Sequence, residues 1–192
     1  MIELMVVVGI MVILAGMLIA SLPGIQSRVN RNKVEALMAE LESGLSKYQI
    51  EYGAFPQNPL TGDRDTDGIK GAGILYKYLS GDYDLSGTID AIEAAESENG
   101  VVGEDQMEEV FVPNLDIASN VDSKTPRSTE RGGEPQVMDS YGNPFRYLAE
   151  PPNISEKDRN TYNPTYDLWS ITDTDPNDEE EQARHITNWQ SN

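Results

Sequence analysis

Between Glu3 and Arg28 the chain carries no charged side chain, and from Leu4 to Leu22 it is apolar apart from Ser21 and two glycines. No other stretch restricts the fold as strongly. As an α-helix the run rises roughly 28 Å at about 1.5 Å per residue, close to the hydrocarbon thickness of a bilayer. It predicts one transmembrane helix. A buried core helix or a cleaved secretory signal are the other readings. A signal peptide needs a basic segment ahead of its apolar run, and no Lys or Arg precedes this one.

Downstream the periodicity stays helical but becomes one-sided. Val34, Leu37, Leu41, Leu45, Tyr48 and Tyr52 recur at three- and four-residue steps, while Arg31, Lys33, Glu35, Glu40, Glu42 and Lys47 fall largely on the other faces. Pro23-Gly24 between the halves is expected to kink or loosen the helix, and Gly53 with Phe55-Pro56 to end it. Residues 1–27 thus form the transmembrane half and 28–53 the amphipathic half. Residues 54–135 form an acidic insertion, and 136–192 a C-terminal β-sheet with an acidic loop. Within the insertion, Ala72–Leu79 and Asp90–Glu98 read as short helices, and "SNVDSKTPRSTERGGEP" as a long exposed loop. "NPFRYLAE" and "TYDLWSIT" read as strands. The fold class is α+β: a long N-terminal transmembrane/amphipathic helix packed on a small antiparallel sheet domain.

Thirty-three acids against 14 Lys and Arg give a formal net charge of −19. Such a surface repels nucleic-acid phosphates and suits metal cations or basic partners. There is no cysteine, so disulfides and thiolate metal sites are excluded. With a single histidine, His185, neither a Ser-His-Asp triad nor a multi-histidine metal site is expected, and no carboxylate pair has a spacing for acid/base work. The chain reads as a non-enzyme.

"DYDLSGTIDAIE" matches the calcium-loop pattern D-x-[DN]-x-[DN]-G-x5-E except for Ser at the fifth position. Asp82, Asp84 and Ser86 would supply oxygens at positions one, three and five. Gly87 would permit the sharp turn and Ile89 would tie the loop to the core. Thr88 would offer its carbonyl, Asp90 its side chain directly or through water, and Glu93 would close the site bidentately. The other reading is an Asp/Ser/Gly turn capping a helix near Asp90. "DRDTDGIKG" is a weaker echo: Asp63, Asp65 and Asp67 with Gly68 match the first half of such a loop, but its twelfth position is Ile74. It reads as a turn or as a second calcium half-site.

The N-terminus, "IELMVVVGIMVILAGML", resembles type IV pilins and type II secretion pseudopilins. In that family the mature chain begins Phe-Thr-Leu-Ile-Glu after a short basic leader. Ile2 and Glu3 match its last two residues, and Met1 stands where Leu is usual. "DSYGNPFRYL", "YDLWSIT" and "ITNW" resemble the C-terminal half of the major pseudopilin, through Asp139, Tyr141, Gly142, Pro144, Phe145, Tyr147, Tyr166, Asp167, Leu168, Ser170, Ile186, Asn188 and Trp189. "GAFP" fits the family's helix ending. The likeness covers roughly residues 1–60 and 136–192. The family's major pseudopilins also bind calcium in the loop before the final I-x-N-W. Here Ala183, Arg184 and His185 stand just before Ile186, and Asp173, Asp175, Asp178 and Glu179 to Glu181 are the acids that could substitute.

The resemblance implies a structural subunit of a type II secretion pseudopilus that binds calcium and assembles through its N-terminal helix. In it, Glu3 pairs with the N-terminal amine of a neighbouring subunit. It implies other pilin or pseudopilin subunits, an inner-membrane assembly machinery and a prepilin peptidase as partners, together with the membrane and no nucleic acid. It also implies two residues and a basic leader ahead of Met1, with N-terminal methylation after processing. Arg28, Arg31 and Lys33 would otherwise hold the C-terminal side inside, and a basic leader would reverse this. The expected location is the bacterial inner membrane, single-pass, with the C-terminal domain in the periplasm. Alternatives are a type IV pilus subunit, or a membrane-anchored periplasmic calcium-binding module that does not polymerise.

Overall fold

The structure is a computed structural model. It describes residues 2–59, 61–82, 85, 110–151, 154–155, 158–174 and 179–189, excepting the side chains of 18–24, 179 and 180. Helix α1 (Ile2–Tyr52) is continuous through Pro23-Gly24. It stops at Gly53, whose φ of +77° suits a residue without Cβ, and whose N–H donates to the Gln49 carbonyl at 2.8 Å. Most of the stripe read from the sequence is buried: Val34, Leu37, Leu41 and Leu45 lie in the core with Met38, Tyr48 packs against its edge, and Tyr52 is exposed.

Helix α2 (Arg64–Leu79) crosses the molecule over two small antiparallel sheets. One pairs β1 (Ser128–Arg131) with β2 (Glu134–Val137), Ser128 opposite Val137. The other is ordered β3-β4-β5, from β3 (Arg146–Ala149), β4 (Tyr166–Ser170) and β5 (Ile186–Thr187). In it Arg146 faces Trp169 and Ser170 faces Ile186. A short helix α3 (Glu179–Gln182) precedes β5. The period of two along β3 and β4 sorts their side chains. Tyr147, Ala149, Tyr166 and Leu168 join the α1 and α2 core, while Leu148 and Trp169 form a second cluster with Ile171. Edge strand β3 is protected by Asn58. Its buried amide donates to the Tyr147 carbonyl at 2.9 Å and accepts from the Ala149 N–H at 3.0 Å.

Several expectations are corrected. Among the described residues no helix is long and apolar enough to cross a membrane. The expected span ran from Leu4 to Leu22. The long N-terminal transmembrane helix, and with it single-pass placement in the bacterial inner membrane with a periplasmic C-terminal domain, is therefore withdrawn. The exposed loop expected over 119–135 contains the β1–β2 hairpin, turned by Gly132 and Gly133, both at positive φ. Helix α2 begins eight residues before Ala72, because Asp63 caps it. The segment read as an insertion supplies Leu75, Tyr76, Leu79, Phe111, Val112 and Leu115 to the same core as α1.

Candidate functional site

The first half of α1 presents apolar side chains that nothing among the described residues covers. Ile2, Leu4, Met5, Val6, Val7, Val8, Ile10, Met11, Val12, Ile13, Leu14 and Met17 are each at least half exposed. Glu3 is exposed among them. Among the described residues, tertiary ties come lower on the helix. Tyr141 donates its hydroxyl to the Ser27 carbonyl at 3.1 Å, and Arg31 donates to the Arg184 carbonyl at 3.2 Å. A contiguous apolar surface of this extent marks an interaction site.

Of the predicted calcium loop, Asp84, Ser86, Thr88, Asp90 and Glu93, with Gly87 and Ile89, lie outside the described residues. Asp82 is described. It follows the C-cap of α2, Ser80, by two residues and is almost fully buried. The Tyr76 hydroxyl donates to Asp82 Oδ2 at 2.5 Å, and the Asp82 N–H donates to Ser80 Oγ at 3.1 Å. Tyr76 is buried completely, and its pKa is raised by desolvation and by the Asp82 carboxylate.

Asp63 caps α2, and Asp65 and Asp67 lie in its first turn, rather than in a loop around a cation. Asp63 accepts from the Asp65 N–H and the Thr66 hydroxyl, and Asp65 pairs with Arg146 Nε at 2.7 Å. Asp67 is buried. Burial raises its pKa, but hydrogen bonds from the Thr61 hydroxyl and N–H and from the Gly62 N–H, with Lys70 nearby, hold it below the usual carboxylate range. Two acids in the first turn, with a third at the N-cap, complement the helix dipole, which accounts for their spacing without a metal. Among the described residues no group of three or more His, Asp or Glu side chains is arranged to hold a metal ion. In the C-terminal loop Asp173 and Glu181 both pair with Arg184. Asp175 and Asp178, and the side chains of Glu179 and Glu180, lie outside the described residues.

Two groupings were not legible in the sequence. Arg64 donates to Asp167 Oδ2 at 2.7 Å and to the Asn160 carbonyl at 2.6 Å. Its guanidinium lies 4.4 Å from the Tyr162 ring centroid, 4.5 Å from that of Trp169 and 5.0 Å from that of Trp189. The second is the pair holding Asp82, Tyr76 and Ser80; the helical period places Tyr76 on the core face but gives no sign of the hydroxyl's partner.

No family model, no curated protein and no solved structure matches this chain.

Proposed function

We propose that this chain is a structural subunit that polymerises through the uncovered half of α1, in the manner of a type II secretion pseudopilin. The observation that carries the reading is the division of one continuous helix. From Val34 to Leu45 its apolar stripe is seated in the domain core, and from Ile2 to Met17 its apolar side chains stand at least half exposed among the described residues. Burying those side chains against further copies is favourable by about 25 cal/mol per Å² removed from water. A carboxylate brought into such an interface needs a cationic partner, which makes Glu3 the residue that sets register between copies. The chain performs no catalysis in this role.

Calcium belongs to the same proposal. The donors along residues 82–93 are all oxygen, from carboxylates, a hydroxyl and a main-chain carbonyl, and this is the chemistry calcium prefers. Asp82 stands directly after a helix, where the first ligand of a helix–loop calcium site belongs.

The absence of cysteine makes the polymer testable. A variant with Val6→Cys and Ile13→Cys has its two thiols about 10.5 Å apart along the helix, too far to bridge within one chain. Oxidation is expected to give a ladder of covalent multimers, and moving the pair around the helix should give a yield that recurs with the helical period. Glu3→Ala should shorten the ladder. Monomers at every position, or a yield without periodicity, would refute assembly through α1.

A further inference from the structure

We infer that the groove between α1 and the segment leading into the β1–β2 hairpin seats the acidic surface of a second copy of this chain. This contact is additional to the one through the first half of α1 and does not depend on it. Two clefts of about 260 and 310 Å³ share Thr125, Pro126, Met138 and Ser140, so they make one groove. Lys33 of α1, Lys124 and Arg127 line it, and both lysines are exposed.

The charge of this groove is opposite to that of the molecule. Across the chain acids outnumber bases 33 to 14. Among the described residues that line the groove, Asp139 is the single acid. It is 2% exposed and turned to partners of its own, accepting from the Ser170 hydroxyl and from the Tyr141 and Asn143 N–H groups. Arg127 is committed to Glu40 of α1 through two bonds of 2.6 and 3.0 Å. The lysines are not so engaged. Lys33 donates to the Thr125 hydroxyl at 3.4 Å, and among the described residues neither Lys33 nor Lys124 is paired with a carboxylate.

Two copies that each carry a net charge of −19 repel one another in most mutual orientations. An orientation that sets carboxylates of one copy against Lys33 and Lys124 of the other replaces repulsion with attraction. The copy has such groups on its surface: Asp122, Glu130 and Glu134 stand exposed. Exposed ion pairs add little affinity, but charge complementarity fixes how two surfaces meet. Where α1 holds copies together, the groove sets how their domains face.

The experiment mixes equal amounts of ordinary and heavy-isotope-labelled full chain at low ionic strength. A carbodiimide then joins lysine amines to carboxylates at zero length, and linked peptides are read by mass spectrometry. Links that carry both isotopes arise between copies. Lys33 and Lys124 are expected to carry severalfold more of them than Lys70 and Lys77, two exposed lysines of α2. In the Val6→Cys and Ile13→Cys background, adding Lys33→Glu with Lys124→Glu should lower the multimer yield. Lys70→Glu with Lys77→Glu changes the net charge equally and should lower it less. Mixed-isotope links spread evenly over the lysines, or missing from Lys33 and Lys124, would overturn the inference while leaving the cysteine ladder to decide assembly through α1. A missing ladder with mixed-isotope links at Lys33 and Lys124 would support the groove and overturn the α1 reading. A fluorescein-labelled hexaglutamate peptide bound through Lys33 and Lys124, without mixed-isotope links, would give the groove to a different chain and overturn the second copy.

Discussion

At the scale of single residues, the domain sets each buried charge against named partners. Asp167 is fully buried, and besides Arg64 it accepts from the Tyr162 and Asn163 N–H groups. Arg64→Ala would leave that carboxylate without its cation and remove the group stacked among Tyr162, Trp169 and Trp189. The expected loss, about 3 kcal/mol, is measurable by urea unfolding. Arg64→Lys should recover only part of it, because an ammonium keeps the charge but not the plane that stacks. His185 gives a pH signature. Its pKa is lowered by burial and then by Arg146, against the opposing pull of Asp65 and Glu181. The unfolded chain therefore holds the extra proton in the window between about 6.5 and the lower folded value. Stability is expected to be full above that window and to fall as pH drops through it, a slope that His185→Gln should remove from a series of unfolding curves. A slope unchanged in that variant would assign the acid sensitivity elsewhere. These partnerships were the least legible part of the sequence. Asp65 and Arg146, or Arg64 and Asp167, are joined by topology across 81 and 103 residues, and no local spacing encodes that.

At the scale of elements, legibility followed periodicity and residue type. The α1 stripe was readable because its buried face repeats at about 3.6 residues, and the strands over Arg146–Ala149 and Tyr166–Ser170, buried at every residue, because aromatic and other apolar residues cluster in them. The β1–β2 hairpin was not, since Pro135 and the charged Glu130, Arg131 and Glu134 mask the alternation, although the Gly132-Gly133 turn was there to see. The start of α2 was misread because Asp-x-Asp-x-Asp suits both a cation loop and a capped first turn. Close packing of α2 depends on glycine. A Cβ at Gly68 would meet the Trp169 ring at 2.5 Å, and one at Gly71 would meet the Tyr147 carbonyl. The second obstacle is backbone and cannot rotate aside. Gly71→Ala should therefore push α2 off β3 and cost at least about 2–3 kcal/mol, more than the same change at Gly73, where the nearest atom is 3.6 Å away. Equal unfolding midpoints for the two variants would show that α2 does not seat against β3 this closely.

At the scale of the whole molecule, two long-range terms oppose each other. The uncovered half of α1 favours association through apolar area, and a net charge of −19 opposes it through repulsion between copies. The two respond differently to added salt. Screening shortens the reach of repulsion to about 10 Å at 0.1 M, while burial of apolar side chains is almost unaffected at that concentration. If copies associate through α1, the protein concentration needed for half-maximal multimer should fall as sodium chloride rises from about 20 to about 150 mM, as read by light scattering. A chain lacking residues 2–25 keeps the core stripe from Val34 onward and should stay monomeric at both concentrations while retaining its unfolding midpoint. The opposite salt response, multimers dissolving as salt is added, would mean that ion pairs rather than the apolar helix hold the copies together. Calcium sharpens the distinction, because cations held by the Asp82 loop would lower the repulsion at micromolar to millimolar concentrations, far below those at which monovalent salt screens. Assembly promoted by calcium in the wild type but not in Asp82→Asn, with both responding equally to sodium chloride, is the expected pattern.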